Sequence, residues 1–355
     1  MLGKVLLTGA TGFVGAHVLD LLLRHQYPVI AAVRSMEQGE FFKSKYSEAA
    51  LAFVQVTDIW QTNALDLIFK LNPDIEYVIH LAAPSWAGVR DKDSELFDPV
   101  IRGSQNVISA VDKYGHNVRT VVIGSCFAAM MNDPPRFNDS KKIYTARDLN
   151  RITRAQARAD DYHAYIGCKV FAEDAAWKKY SDLWDPTFAL VVIATPLVLG
   201  PFINDMPLSN LNYSLKNAYE FISNHSQQRT ANGKLEPLPL PFYIDVRDAA
   251  LAFVKTIQLI PPQTARWFVA ANNISSQQVL DITREHMPHL RHRLPFGVPG
   301  SGEEEIKQQC GFDISDFEET INIQFHSLQD TVVDMYNKIL ETETELSLNV
   351  EDLKI

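Results

Sequence analysis

A glycine-rich segment near the amino terminus constrains the fold more than any other feature of this sequence. Residues 8–15 read TGATGFVG, after the apolar run 5–7 and before a pattern with apolar side chains at helical spacing. Glycines placed in this way allow a tight turn, let backbone approach a pyrophosphate and let a helix pack closely on a strand. The N–H groups at the start of the helix would then face the phosphates. The segment predicts a dinucleotide-binding β-turn-α unit, and a purely structural tight turn is the alternative.

Short apolar runs alternate with helical patterns along the first part of the chain. The runs that predict strands cover residues 5–7, 29–33, 52–54, 77–79, 121–123 and 188–194. Continuous apolar runs are typical of a parallel sheet that is buried on both faces. Apolar residues at helical spacing lie between them, in 14–23 and 100–111. This alternation predicts an α/β fold with a doubly wound parallel sheet.

The pattern becomes less regular in the second half of the chain, where prolines are more frequent. We expect residues 1–199 and 241–262 to form a Rossmann domain that binds the dinucleotide, with residues 242–259 returning to the main sheet. Residues 200–240 and 263–355 are expected to form a smaller, mixed C-terminal lobe that binds the substrate.

Composition and charge exclude several classes of protein. Of the 355 residues, 46% are hydrophobic and 21% are charged, which is ordinary for a globular chain and not for a disordered or collagen-like one. A net charge of −10 disfavours nucleic acid and anionic membrane as partners. No apolar run is long enough to span a membrane, and no secretory signal is recognisable. Three widely spaced cysteines suit a reducing compartment and show no metal-ligand spacing, so we expect a cytoplasmic protein without a metal site. We expect it to be a monomer or a homodimer.

Basic residues cluster between positions 141 and 158 of this acidic chain. The cluster comprises Lys141, Lys142, Arg147, Arg151, Arg154 and Arg158. It favours a solvated loop and helix face, and an anion-binding site is the alternative.

The end of the second predicted strand bears on which dinucleotide would bind. An NAD site usually places Asp or Glu about 20 residues beyond the glycines, where the carboxylate holds the ribose hydroxyls. Here the strand ends in Val33 and Arg34, and a guanidinium can hold a 2′-phosphate that a carboxylate would repel. The sequence therefore favours NADP(H) over NAD(H). Arg34 could instead be a solvated strand-end residue, and the nearby Glu37 keeps NAD(H) possible.

A second pattern pairs Tyr165 with Lys169. Residues four apart on a helix share a face, so the phenol and the ammonium can point at the same spot. A neighbouring cation favours the phenolate, which makes Tyr165 a candidate proton donor to a carbonyl. Such a pair arises often by chance, but this one lies about 40 residues after the fifth predicted strand, on the helix that leads into the sixth.

Together these segments resemble the extended short-chain dehydrogenases/reductases of the NAD(P)-dependent epimerase/dehydratase superfamily. Within it, the chain is most similar to fungal methylglyoxal and aldehyde-ketone reductases and to plant dihydroflavonol reductases. The segments that carry the resemblance, in the family's order, are TGATGFVG (8–15), AAVRS (31–35), TDI (57–59), HLAAP (80–84), YIGCKVFAEDAAW (165–177), TPLVLGPF (195–202) and YIDVRDAA (243–250). They span some 250 residues and are specific for superfamily and fold, but much less so for substrate.

The resemblance implies roles for particular residues. Cofactor-binding positions would be Gly9, Thr11, Gly12, Phe13, Val14, Gly15, Arg34, Asp58, Ile59, Ala82, Ala83, Tyr165 and Lys169. The glycines would cradle the pyrophosphate, and Arg34 would meet the 2′-phosphate. Asp58 and Ile59 would flank the adenine, while the two alanines would line the cleft. Tyr165 would be the acid and Lys169 its partner, bonding the nicotinamide ribose.

Two positions depart from the family pattern. Such reductases carry a Ser or Thr at the end of the fifth strand, whose hydroxyl holds the substrate oxygen, and the matching position here is Cys126. A thiol is a weak donor, and Ser125 would point to the opposite face unless the strand end is bulged or turned. Together with Tyr165 and Lys169, both Cys126 and Ser125 are therefore candidate catalytic residues. The asparagine of the fourth helix, which helps to support the proton relay, aligns with Arg102. Cys126 could act as a nucleophile only with a lowered pKa and an adjacent base, and the motifs place no histidine beside it.

Two functions remain open at the level of the sequence. The first is NADP(H)-dependent reduction of an aldehyde or ketone, with a hydride from the nicotinamide and a proton from Tyr165. The second is a non-redox cyclase, isomerase or dehydratase, or a cofactor-binding protein, on the same fold; Cys126 and Arg102 motivate it. A fairly apolar substrate pocket is suggested by aromatic residues, namely Trp86, Phe127, Phe202 and Tyr213.

Overall fold

The computed structural model describes residues 2–46, 50–83, 89–131, 137–204, 206–223 and 235–352. Pro84 and Trp86 lie outside these residues. The strands are β1 Lys4–Thr8, β2 Val29–Val33, β3 Leu51–Gln55, β4 Ile75–His80, β5 Thr120–Cys126, β6 Ile143–Tyr144, β7 Ala189–Thr195, β8 Leu197–Leu199, β9 Phe242–Asp245, β10 Ala265–Phe268, β11 Asn272–Asn273 and β12 Gly311–Phe312. The α-helices are α1 Phe13–Arg24, α2 Glu37–Lys45, α3 Asp66–Leu71, α4 Asp98–Tyr114, α5 Arg154–Ala157, α6 Asp161–Ser181, α7 Tyr213–Ser223, α8 Val246–Thr256, α9 Ser276–His286, α10 Gly302–Gln308, α11 Ser315–Thr320 and α12 Leu328–Asp352.

Seven strands form the main sheet, in the order β10-β7-β5-β4-β1-β2-β3. Every pair of neighbouring strands in it is parallel. The strand order reverses between β1 and β4, and in open parallel sheets a ligand binds at the carboxyl ends of the strands beside such a reversal. The predicted doubly wound α/β fold is confirmed.

Alternate residues of each central strand pack against different helices. Val5 and Leu7 of β1 belong to the hydrophobic cluster that contains α1 and α8, whereas Leu6 belongs to the cluster with α3 and α4 on the other face. α1 packs against α8, and α4 packs against α6. Because both faces are covered, each strand is apolar at consecutive positions, which is the pattern that the sequence displays.

Two segments differ from the predicted organisation. β9 does not return to the main sheet but pairs with β8 and β11 in a separate three-stranded sheet. The strand that completes the main sheet is β10, which pairs with β7 and lies in the stretch predicted for the smaller lobe. The apolar pattern failed to reveal β10 because Arg266 interrupts it, and that charge is neutralised inside the fold by Glu173. The division into two lobes otherwise stays a prediction.

An aromatic cluster joins the carboxyl end of the main sheet to the two smaller sheets. Its rings belong to Phe127, Tyr144, Phe242, Phe268 and Phe312, all in contact with at least one other member. The centroids of Phe127 and Phe242 are 5.1 Å apart, and those of Phe242 and Phe312 are 5.0 Å apart, both in edge-to-face geometry. Such pairs add stability beyond the area that they bury, so the cluster fixes the position of residues just after β5.

The carboxyl-terminal helix α12 is fastened to the start of α8. Asp245 is completely buried and caps α8, and it accepts hydrogen bonds from Arg247 and from Thr331 of α12. Arg247 also pairs with Asp334 of α12 at 2.6 Å. Within the described ranges, no helix combines the length and the apolar character needed to cross a membrane.

Candidate functional site

The glycine-rich turn between β1 and α1 leaves no room for side chains at two positions. Gly9 has a φ of +74°, and a Cβ there would lie 2.7 Å from the backbone nitrogen of Ala82. A Cβ on Gly15 would lie 1.9 Å from the Gly9 carbonyl oxygen, so α1 packs directly on the turn. Gly12 is the N-cap of α1 and has no side chain to cap the helix. The first N–H groups of α1 lack intrahelical acceptors and are therefore free to bind an anion.

A cavity of about 410 Å³ lies beside this turn, at the carboxyl ends of β1 and β2. We call it the β2-side cavity; its walls include Gly9, Thr11, Gly12, Phe13, Arg34, Gln38, Ile59, Trp60, Ala82, Ala83, Asn204 and Met206. Arg34 is exposed, and its guanidinium forms no hydrogen bond or ion pair with any described residue. Asp58 is not part of the wall, contrary to the expectation that it would flank the adenine with Ile59. Gln38, Trp60 and Asn204 were not foreseen, since no motif marks them.

A second cavity, of about 500 Å³, lies on the other side of the turn. We call it the Tyr165 cavity; its walls include Gly9, Gly15, Cys126, Ala128, Met131, Tyr165, Lys169, Leu197, Val198, Tyr213, Leu240 and Phe253. The two cavities share residues of the turn together with Leu81 and Asn212. A continuous cleft therefore runs past the glycines, from Arg34 to Tyr165.

Tyr165 and Lys169 lie on one face of α6, as their spacing predicts. The Lys169 Nζ atom is 5.6 Å from the centroid of the Tyr165 ring. The ring of Tyr213 stacks on the Tyr165 ring with a centroid distance of 6.3 Å. Burial raises the pKa of the Tyr165 phenol well above its ordinary value, and the Cys126 sulfur beside it adds to that shift. In the protein without cofactor, burial thus outweighs the preference for the phenolate that Lys169 was expected to give. The phenol therefore stays protonated at neutral pH.

The end of β5 presents two different side chains to its two faces. Cys126 is 8% exposed, and its Sγ atom is 3.5 Å from the Tyr165 Oη atom. β5 stays in continuous register with β7 up to Cys126 and Thr195, so the strand end is not bulged. The Ser125 hydroxyl consequently lies on the opposite face, where it donates a hydrogen bond to Glu173. Ser125, one of the predicted catalytic residues, lines the Tyr165 cavity, but its hydroxyl bonds Glu173 and not Tyr165.

Glu173 belongs to a buried polar network behind the site. Besides the Ser125 hydroxyl, its carboxylate accepts a hydrogen bond from Arg266. Arg266 also donates to the carbonyl oxygens of Ala146 and Asp148 at 2.6 and 2.7 Å. The network ties β5 to α6, which carries Tyr165. No prediction from the sequence included Glu173, although its place one helical turn after Lys169 was a usable signal.

Arg102 lies outside both cavities. Its side chain is exposed on α4. The prediction that Arg102 takes the place of a catalytic asparagine in the site is therefore wrong. One turn further along α4, Asn106 donates hydrogen bonds of 2.8 Å to the carbonyl oxygens of Ile59 and Gln61. These bonds hold the segment that lines the β2-side cavity.

Three of the six residues of the basic cluster, Lys142, Arg154 and Arg158, form ion pairs with described residues. Arg154 pairs with Asp93 and Asp98, both at 2.8 Å, and Arg158 pairs with Asp93 at 2.6 Å. These groups are partly exposed and lie beside α5 and the start of α4. The arrangement agrees with a solvated face, and these two arginines are already neutralised.

Comparison with known proteins gives a consistent picture. Residues 5–150 match the sequence model of the NAD dependent epimerase/dehydratase family. The chain is 30% identical over 345 residues to the NADPH-dependent methylglyoxal reductase GRE2 of Saccharomyces cerevisiae, a match that covers 96% of this chain and 99% of that protein. It is also 30% identical over 350 residues to the ketoreductase azaE of Aspergillus niger, with 95% and 98% covered.

Solved structures agree with these sequence matches. The yeast methylglyoxal/isovaleraldehyde reductase Gre2 complexed with NADPH superimposes with a TM-score of 0.87 at 29% identity, covering 96% of this chain and 99% of that one. Gre2 from Candida albicans, also in complex with NADPH, gives a TM-score of 0.87 at 26% identity and the same coverage. The likeness therefore extends over nearly the whole of both chains.

Proposed function

The chain belongs to the NAD dependent epimerase/dehydratase family, and we propose that it uses NADPH to reduce an aldehyde or ketone to an alcohol. It is an NADP-dependent oxidoreductase that acts on carbonyl groups, as its relatives of the methylglyoxal reductase and ketoreductase type are named. The observation that carries the proposal is the position of Tyr165, whose Oη faces a cavity bounded by the glycine-rich turn and lies beside Cys126.

The residues along the cleft fit NADP(H). The turn around Gly9 and Gly15 is a cradle that any Cβ would fill, and the N–H groups of α1 beside it suit a pyrophosphate. Arg34, whose guanidinium has no partner among the described residues, also lines the β2-side cavity, where a 2′-phosphate can accept two hydrogen bonds from it. When bound, NADPH supplies the hydride that reduces the carbonyl carbon.

Tyr165 supplies the proton in this reaction. The raised pKa of its phenol keeps the proton on Oη until negative charge develops on the carbonyl oxygen, which then takes it. The phenolate left behind is stabilised by the ammonium of Lys169, one helical turn away, and is reprotonated from water. Cys126 is the other side chain that can meet the substrate oxygen, with a thiol in place of the stronger hydroxyl donor.

The substrate is a fairly apolar carbonyl compound. Apart from Tyr165, Lys169 and Cys126, much of the wall of the Tyr165 cavity is hydrocarbon, from Ala128, Met131, Leu197, Val198, Leu240 and Phe253. Tyr213 lines the cavity as predicted, whereas Phe127 and Phe202 do not; both are buried in the core. Of the two positions that motivated the non-redox alternative, only Cys126 lines the Tyr165 cavity, and Arg102 is exposed outside it.

Tyr165→Phe tests the proposal. Purified protein is mixed with NADPH and a panel of aldehydes and ketones, and the absorbance of the reduced cofactor is followed. We expect turnover to fall by about 10²- to 10⁴-fold in Tyr165→Phe, because the general acid is lost, with NADPH affinity little changed. Tyr180→Phe is the matched control on the same helix, since its hydroxyl bonds the Phe188 carbonyl at 2.8 Å and lines neither cavity. Tight NADPH binding without consumption on any carbonyl would refute the reductase, and undiminished turnover in Tyr165→Phe would refute the role of Tyr165.

A further inference from the structure

Asn204 has an unused polar atom in the wall of the β2-side cavity. The residue lies between β8 and α7 and is 8% exposed. Its Nδ2 atom donates a 3.0 Å hydrogen bond to the carbonyl oxygen of Thr11, in the glycine-rich turn. Its Oδ1 atom is buried and has no hydrogen-bond partner among the described residues.

The orientation of this amide follows from its neighbour. The Thr11 carbonyl can only accept, so the amide nitrogen must face it and the oxygen must face away. A buried acceptor without a donor is unfavourable and uncommon in folded proteins. One other buried side-chain atom of the described residues is in the same situation, the Tyr336 hydroxyl oxygen, and it lines neither cavity. Asn204 is thus an unsatisfied hydrogen-bond acceptor in the wall of the proposed cofactor cleft.

The chemistry of the missing donor can be narrowed down. Phosphate groups offer acceptors alone, so the partner of Oδ1 is a hydroxyl or an amino group. At this end of the cleft Arg34 suits the 2′-phosphate, and the adenosine ribose of NADP(H) then retains a single free hydroxyl, at C3′. The Thr11 bond holds Asn204 against the phosphate-binding turn, and in the dinucleotide the ribose is joined directly to the phosphates whereas the adenine lies one group further away.

We propose that Asn204 is a cofactor-binding residue whose Oδ1 accepts a hydrogen bond from the 3′-hydroxyl of the adenosine ribose. This inference rests on the proposed use of NADP(H). The same amide group keeps its bond to Thr11, so it links the bound cofactor, the glycine-rich turn and the segment that leads to α7. No motif of the sequence marks this residue.

Equilibrium binding tests the proposal without any turnover. The dissociation constants of NADPH, 2′,5′-ADP and 3′-deoxy-2′,5′-ADP are measured by calorimetry for the wild type, Asn204→Leu and Asn204→Ala. Loss of one hydrogen bond should weaken NADPH and 2′,5′-ADP by roughly tenfold in both variants. The wild type should lose a similar factor when the 3′-hydroxyl is removed, and the variants should be indifferent to it. Thermal unfolding of the ligand-free variants should change little, because an unsatisfied acceptor disappears together with the bond to Thr11.

Asn150→Leu is the matched control. Asn150 is equally buried but has both amide atoms bonded, to the Ala128 carbonyl and the Ile152 N–H, and it lines neither cavity. It should lower the unfolding temperature and leave cofactor affinity intact. Unchanged dissociation constants in the Asn204 variants would overturn the inference but not the proposed function. A loss of affinity for NADPH that 2′,5′-ADP does not share would do the same. Failure of the wild type to bind NADPH would overturn the proposed function, and the inference with it.

Discussion

At the scale of single residues, the chemistry of the site is set by the alternation of side chains at the end of β5. Ser125 bonds Glu173 on one face, and Cys126 meets Tyr165 on the other. The sequence predicted that the two side chains face opposite ways, because the period of two depends on backbone geometry alone, although Ser125 also stood among the catalytic candidates. The position of Arg102 was beyond the same reasoning, since a helix turns by 100° per residue and a small error in alignment moves a side chain off the site.

Replacement of the thiol tests what Cys126 contributes. We expect Cys126→Ser to raise kcat for carbonyl reduction on the order of tenfold, because a hydroxyl is a stronger donor to the developing oxyanion than a thiol. The affinity for NADPH should not change. Steady-state kinetics and cofactor titration provide both values.

The neighbouring residue supplies the control for this experiment. Ser125→Ala removes a hydroxyl one position away that faces Glu173, so turnover should stay within about threefold while stability falls by about 1–2 kcal/mol. A decrease in kcat for Cys126→Ser would mean that the thiol has a chemical role of its own. A large loss of kcat in Ser125→Ala would contradict the assignment of the two faces.

At the scale of helices and strands, most of the main sheet could be predicted from its apolar runs. β10 could not, because its stability depends on the pairing of Arg266 with Glu173, residues 93 positions apart. β9 was predicted as a strand but assigned to the wrong sheet, since an apolar run shows that a strand is buried and not which strand it pairs with. The segment after β8 contributes residues to the walls of both cavities, but its sequence has no periodic apolar pattern that would have predicted this.

The contact between α8 and α12 gives a prediction on stability and pH. Burial of Asp245 opposes its ionisation most strongly, yet hydrogen bonds from Arg247 and Thr331 together hold the pKa of the carboxyl below its usual range. A carboxyl with a lowered pKa stabilises the fold above the unfolded value, near 4, and loses that contribution as the pH falls further. Arg247→Gln leaves the carboxylate buried without its cation and should lower the free energy of unfolding by about 3 kcal/mol at pH 7.

Urea unfolding at several pH values checks this expectation. The difference between Arg247→Gln and the wild type should narrow as the pH falls, first because Asp245 is protonated in the variant, which lacks the cation. The narrowing is complete only below the lowered pKa of the wild-type carboxyl, where Asp245 is protonated in both proteins. Lys43→Gln breaks an exposed pair with Glu40 and should cost less than about 0.5 kcal/mol at any pH. A difference that stays constant down to pH 3 would show that Arg247 acts through packing and not through the charge of Asp245.

At the scale of the whole molecule, charge sets a condition on cofactor binding. The chain carries a net charge of −10, so its overall field disfavours an anionic dinucleotide. We therefore expect binding to depend on local groups, namely the N–H groups at the start of α1 and the guanidinium of Arg34. The sequence predicted both from the glycine spacing and from the residue at the end of β2, because each is local to one β-turn-α unit.

Two arginine variants with the same change in net charge separate local from global effects. Arg34→Ala should weaken NADPH binding by about 10- to 100-fold through loss of a charge-assisted contact, and NADH binding by less than about threefold. Arg102→Ala removes an exposed arginine that lines neither cavity and should change neither affinity. Fluorescence titration of both cofactors gives the four ratios. Equal losses of NADPH and NADH in Arg34→Ala would refute the phosphate contact.

The hydrogen bond between Asn204 and Thr11 joins residues that are 193 positions apart. During synthesis, the glycine-rich turn therefore leaves the ribosome long before Asn204, which lines the same cleft. At ordinary rates of elongation the delay is roughly 10 to 40 s. Throughout that interval, a bound cofactor cannot stabilise the nascent chain as fully as it can stabilise the complete protein, because part of the cleft is missing. The first β-turn-α units must therefore persist on their own packing until the second wall has been translated.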